Sequence, residues 1–174
     1  MNKLIVLSGV PGSGKSYFSN TVEKIKNSHV YIVSSDALRK EITGSQSNLT
    51  HEPLMWDIFY SLAKTYSLDK EGVVILDATN YSTEIRVEKN RQFKELFDQI
   101  ILVMWNVDKQ VVSNQNLQRE YPIAPEVLDV YFSKFELPSE KDYEFFDKVI
   151  VITNNDIAPV IKELQFDLPQ EYLD

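Results

Sequence analysis

The chain has no cysteine among its 174 residues, which excludes disulfides and thiolate metal sites and leaves the redox compartment open. It has two histidines, His29 and His51, neither with a partner at metal-ligand spacing, and both read as surface or capping residues. No apolar run approaches the ~20 residues of a membrane span. The N-terminal run KLIVLS is too short for a signal peptide, and glycines interrupt it at once. A cytoplasmic protein without membrane association is expected. Repeats, low-complexity tracts and Pro/Gly-rich linkers are lacking too, so residues 1–174 are expected to form a single domain. Arginine is scarce, with Arg39, Arg86, Arg91 and Arg119 the only four. Glycine numbers five, yet three of them stand in one octapeptide.

Hydrophobic content of 43% and charged content of 25% are those of an ordinary globular chain. The net charge of −8 is uneven. Residues 1–44 hold six basic and three acidic groups, residues 45–135 nine and thirteen, and residues 136–174 three and ten. An acidic whole argues against a long nucleic-acid footprint, which needs many phosphate-neutralising cations. It leaves room for gripping one or two nucleotides near the locally basic N-terminal segment.

Five short, nearly continuous apolar runs recur at 3–8, 30–35, 73–78, 100–107 and 148–153, as expected of strands buried on both faces. Helical spacing fills the intervals. Phe18, Val22 and Ile25 share one stripe, and Leu54, Ile58, Leu62 and Tyr66 another; IRVEKNRQFKELF and IAPEVLDVYFSKF read the same way. Alternation of strand and helix predicts an α/β, three-layer fold with a central five-stranded parallel sheet. Trp56, Tyr60, Tyr66 and Trp105 read as core rather than as platforms for stacking bases.

The octapeptide GVPGSGKS, Gly9 to Ser16, is G-x-x-x-x-G-K-[ST] in full, placed between a strand and a helix as the motif requires. Gly9, Pro11, Gly12, Ser13 and Gly14 form the loop whose backbone N–H groups converge on phosphates at a helix N-terminus. Lys15 would bridge the β- and γ-phosphates of ATP, and Ser16 would ligate Mg²⁺. No N/T-K-x-D tetrapeptide for guanine occurs, and the chain is short for a motor-type ATPase. A small kinase remains, which must hold a hydroxyl acceptor beside the γ-phosphate.

Ligands of open parallel sheets sit beyond the carboxyl ends of the strands. There stand Asp36, Asp77, Thr79, Asn80, Asn106, Asp108, Thr153, Asn154 and Asn155. Asp36 reads either as a helix N-cap or as a general base for the acceptor hydroxyl. Arg39, one turn on, reads as a solvated surface arginine or as a bidentate clamp for an anionic group of the acceptor. Asp77 reads as a strand-end turn or as the second Mg²⁺-organising carboxylate, with Thr79 and Asn80 offering hydrogen bonds to substrate. Arg119 precedes a proline-broken loop and suits a lid over about 108–135. Arg86 and Arg91 are expected to face solvent.

Taken together, GVPGSGKS, SSDALRK, DATN, QREYPIAPEVLDVYF and FELPSEKDYEFFDKVIVI resemble the polynucleotide 5′-kinase family of P-loop kinases over residues 3–153. The resemblance implies a P-loop kinase fold with a helical lid, ATP and Mg²⁺ at Lys15 and Ser16, and Asp36 as general base. It further implies that Arg39 grips the phosphate following the 5′ nucleoside and that Arg119 is the lid arginine. The family often has a second basic residue one turn before that arginine; here the position is Gln115. The implied activity is transfer of the ATP γ-phosphate to the 5′-hydroxyl of RNA or DNA, with no obligatory protein partner. Two alternatives stand beside it: a kinase of a small-molecule hydroxyl (nucleoside, sugar or nucleotide-sugar), and an ATP-dependent switch or binding module without phosphotransfer.

Overall fold

The five apolar runs become strands β1 (Lys3–Ser8), β2 (Val30–Ser34), β3 (Val73–Asp77), β4 (Gln99–Trp105) and β5 (Lys148–Ile152) in a computed structural model of the chain. They pair in parallel in the order β2-β3-β1-β4-β5. The structure describes residues 1–166; residues 167–174, which end the acidic C-terminal stretch and the expected domain, lie outside the described residues. Most strands stop one or two residues before the apolar run does, where polar groups turn out of the sheet.

Alternation along β1 builds the layers. Ile5 and Leu7 face a core with Phe18 and Val22 of α1 (Lys15–Lys26) and with Val160 and Ile161 of α8 (Ala158–Glu163). Leu4 and Val6 face the opposite core, formed with α3 (Glu52–Tyr66), α4 (Thr83–Phe93) and the segment around α7 (Glu140–Phe145). The short α2 (Ser35–Thr43) follows β2 directly, and α5 (Lys109–Leu117) and α6 (Pro125–Lys134) follow β4. This is the P-loop kinase fold: a five-stranded parallel sheet between helical layers.

The expected face of α3 is displaced by one residue. Met55, Phe59 and Ala63 are buried, whereas Leu54 is exposed. Both rows are apolar, and a one-residue step turns a helix by about 100°, so the spacing alone did not choose between them. Trp105 is core, edge-on to Phe18. Trp56 and Tyr60 are half-buried, and Tyr66 stacks on Tyr31 with ring centroids 4.4 Å apart.

Trp56 and Tyr60 also cover Lys89, a residue only 3% exposed, whose amine lies 5.1 and 5.8 Å from their ring centroids. Burial pushes this amine from its ordinary 10.5 down to about 8. Between those values the unfolded chain binds the extra proton, so stability rises with pH across that window. Lys89→Met is expected to abolish the rise. At pH 7 it should stabilise the fold by ~1–3 kcal/mol, the relief of a buried charge less the lost cation–π contact. Urea unfolding at pH 7 and 10 checks both.

Candidate active site

Gly9–Ser16 leaves β1, turns, and starts α1 at Lys15. Gly14 caps the helix at φ 114°, a left-handed conformation that a side chain would strain. A Cβ on Gly9 would lie 2.6 Å from the Ser13 hydroxyl and 3.2 Å from Trp105 Cβ, so that glycine is required by close approach. Pro11 is half-buried at the turn, and Gly12 lies against the backbone of Asn116 in α5. Lys15 folds over the loop, donating to the carbonyls of Gly9 (2.9 Å) and Val10 (3.1 Å).

Neighbouring β3 is stapled to this loop. The Gly9 N–H donates to the Thr79 carbonyl, the Ser8 hydroxyl to the Asn80 carbonyl, and the Asn80 amide to the Leu7 carbonyl. Asn80 is itself buried at φ 44°, so its amide pins the loop to β1. The staple sets Asp77 beside the phosphate loop, where the Ser16 hydroxyl donates to its carboxylate at 2.9 Å. Hydroxyl and carboxylate together fit a hard, oxygen-preferring Mg²⁺ that keeps waters and substrate phosphates as its other ligands. No group of three or more His, Cys, Asp or Glu that could hold a metal occurs among the described residues.

Asp36 is not the cap of α2. Ser34 takes that role, its hydroxyl accepting from the Ala37 N–H, because the residue before the first helical one reaches that donor. This leaves the Asp36 carboxylate for side-chain partners. Its Oδ1 accepts from Arg39 at 2.9 Å and its Oδ2 from Arg119 at 3.4 Å. Arg119 follows α5 and has its other terminal nitrogen, Nη1, buried with no hydrogen-bond partner among the described residues. Gln115, one turn earlier, has its side-chain oxygen in the same condition. Segment 108–135 thus consists of α5, a loop in which the Asn116 amide clasps both backbone groups of Ile123, and α6.

Four charged groups share one field here. Burial pushes the Lys15 amine below its ordinary value, Asp77 and Asp36 draw it back, and Arg119 adds to the fall. Burial likewise pushes the Asp77 carboxyl up, against Lys15 and the Ser16 hydroxyl. An anion entering between Lys15 and Arg119 would meet two cations and the loop N–H groups. A hydroxyl entering beside Asp36 would meet a proton acceptor.

Two placements depart from the sequence reading. Arg39 is only 8% exposed; its Nε and Nη2 donate to both oxygens of Glu52, at 2.5 and 3.0 Å. Arg86 does not face solvent. It is fully buried and paired with Asp142, because α4 turns it inward beneath Ser8 and Asn80. Arg91 lies with its guanidinium 5.0 Å from the Phe145 ring. Asp108 caps α5 at the Gln110 N–H, and Asn155, at φ 60°, sets its side-chain oxygen near Gly14. Among the described residues no helix is long and apolar enough to cross a membrane.

Comparison with known proteins gives the setting. The profile of the family AAA_33, described as an AAA domain, matches residues 4–138. The L-seryl-tRNA(Sec) kinase of Methanococcus maripaludis is 28% identical over 141 residues, covering 79% of this chain and 54% of that protein. Among solved structures, the Kti12 of Chaetomium thermophilum in complex with ADP-AlF3 superposes with TM-score 0.68 at 16% identity, over 93% of this chain and 97% of that one. A fungal RNA kinase superposes with TM-score 0.65 at 13% identity, over 98% and 92%. The two structures share the fold, and the chain spans about half the length of the curated relatives it matches.

Proposed function

This chain belongs to the AAA_33 family of AAA domains, and from that premise we propose that it is an ATP-dependent phosphotransferase. The acceptor we propose is a hydroxyl carried by a nucleic acid, with the 5′-hydroxyl of RNA or DNA foremost. The observation that carries the reading is the meeting of Asp36 with Arg119 at the sheet edge that bears Lys15, Ser16 and Asp77. The names of two relatives, an L-seryl-tRNA(Sec) kinase and a fungal RNA kinase, support a hydroxyl on RNA.

In this reading ATP lies on Gly9–Ser16. Lys15 neutralises the β- and γ-phosphates, and Ser16 with Asp77 would hold Mg²⁺, which would supply charge neutralisation for the phosphates. Asp36 takes the acceptor proton as the acceptor oxygen bonds to Pγ and the bond from Pγ to the β-bridging oxygen breaks, releasing ADP. Arg119 directs its unpaired Nη1 at the transferring group, with 108–135 as the lid of a single domain. Thr79 is half-buried at the same edge and is offered to the acceptor.

A second reading, a small-molecule hydroxyl as acceptor, is favoured by one observation: the fork of Arg39, the expected phosphate clamp, is held by Glu52. Transfer of labelled γ-phosphate to a panel of 5′-hydroxyl oligonucleotides, nucleosides and sugars separates the two. Labelling of oligonucleotides, weakening as salt rises, is the expected result. Label on nucleosides or sugars alone would favour the second reading. ATP hydrolysis with every acceptor left unlabelled would remove both.

A further inference from the structure

Arg39 has five N–H donors in a planar fork. Two go to Glu52 in a bidentate pair, and Nη1 serves Asp36 Oδ1 at 2.9 Å and the Gln46 carbonyl at 3.1 Å. One donor on Nη2 is left. An acceptor phosphate seeking two parallel bonds would have to displace a carboxylate already seated in that geometry. The side chain of Arg39 is 10% exposed, against 49% for Asp36. The arginine therefore stands behind the acid, away from the approach to it. Glu52 opens α3, and the chain between α2 and α3 is closed on itself by Thr43, Ser45 and Asn48, whose side chains bond backbone within the segment. Glu52 is thus fixed by a helix N-terminus, and through Arg39 it fixes one oxygen of Asp36. The other oxygen is left toward Arg119 and the phosphate loop.

We propose that Glu52 and Arg39 are positioning residues for Asp36, and that Glu52, by filling the guanidinium fork, makes the site indifferent to a phosphate on the acceptor at that point. This rests on the reading of Asp36 as the base. It assigns Glu52, a residue that the motifs do not mark, to the chemistry, and it takes Arg39 out of direct contact with substrate. Asp36 keeps a single rotamer because a fork anchored from behind holds it, so that its second oxygen, the one facing Arg119, meets the acceptor proton without reorganisation.

The test compares wild type with E52Q, R39K, D36A and the double variant D36A/E52Q. Three acceptors are used: a nucleoside, the same nucleoside as its 3′-monophosphate, and water, read as ATP hydrolysis. Rates are expressed per ATP-binding site, so a misfolded fraction does not count. E52Q and R39K are each expected to lower kcat about tenfold or more for every acceptor used, with KM within about twofold and no difference between nucleoside and 3′-monophosphate. E52Q should cost nothing further in the D36A background, because its effect passes through that carboxylate. A rise in KM confined to the 3′-monophosphate would make Arg39 a phosphate ligand and overturn the proposal. So would an E52Q loss that is the same with and without Asp36. Near-normal rates for D36A itself would instead remove the base reading, and the positioning proposal with it.

Discussion

Replacing Asp36 by alanine is expected to lower kcat for phosphoryl transfer by ~10²–10⁴ while ATP affinity changes by no more than about threefold. Affinity should hold because the residues that would meet ATP, Gly9 to Ser16, are bonded to β1 and to the Thr79–Asn80 staple rather than to Asp36. Removing the carboxylate also frees the Arg119 Nη2 now engaged with Oδ2, and an unpaired cation there favours a triphosphate. Asp36→Asn sharpens the result. The amide oxygen can still accept from Arg39, so orientation of the helix start survives while proton acceptance does not. Equal losses in D36A and D36N identify proton transfer as the role. Retention of most activity in D36N would reduce Asp36 to an orienting group. Single-turnover kinetics with ATP bound separates this loss from slow product release.

The strands and the phosphate loop were legible because each rests on a local physical demand. A strand covered on both faces needs a continuous apolar run, and the loop needs glycine where φ is positive and where Ser13 crowds Gly9. Asp77 and Asp36 were legible as strand-end acids, since a parallel sheet places all its carboxyl ends along one edge. The partner of Arg39 was not. Glu52 lies thirteen residues away across a loop and reads in the sequence as an ordinary acid in the first turn of a helix. The burial of Arg86 was hidden for a related reason. Helical spacing gives the α4 segment only a weakly apolar face, and the Asp142 that neutralises Arg86 lies 56 residues further on. Periodicity reports which face is apolar; it is silent on a buried ion pair that arrives from another element.

That pair carries the largest expected stability effect. Arg86 and Asp142 are each fully buried and joined by two hydrogen bonds of 3.1 and 2.9 Å, with Arg86 also reaching Thr83, Ser8 and the carbonyls of Asn80 and Glu136. Arg86→Met leaves a buried carboxylate without its cation and should cost ~3–5 kcal/mol in urea unfolding at pH 7. Adding Asp142→Leu should recover most of that, since the uncompensated charge rather than the lost pair is the main penalty. The pH dependence gives a second check. Burial pushes the Asp142 carboxyl up, but Arg86 and the Ser139 N–H more than offset it and hold it below its ordinary 3.8. In the wild type this contribution is present above that value and is lost as pH falls. In Arg86→Met only the Ser139 N–H and the Thr83 hydroxyl still oppose burial, the largest influence on this carboxyl. The folded carboxyl is expected to rise above the unfolded one, and stability is instead lost as pH increases through the window between them. The gap between the two proteins should therefore be widest near neutrality and narrow toward pH ~4. A gap constant with pH would mean that Arg86 acts through packing and its backbone contacts, with Asp142 already protonated. Because Arg86 also ties Ser8 and Asn80 beneath the phosphate loop, the variant should bind ATP more weakly even where it is folded. The double variant should recover stability without recovering that affinity.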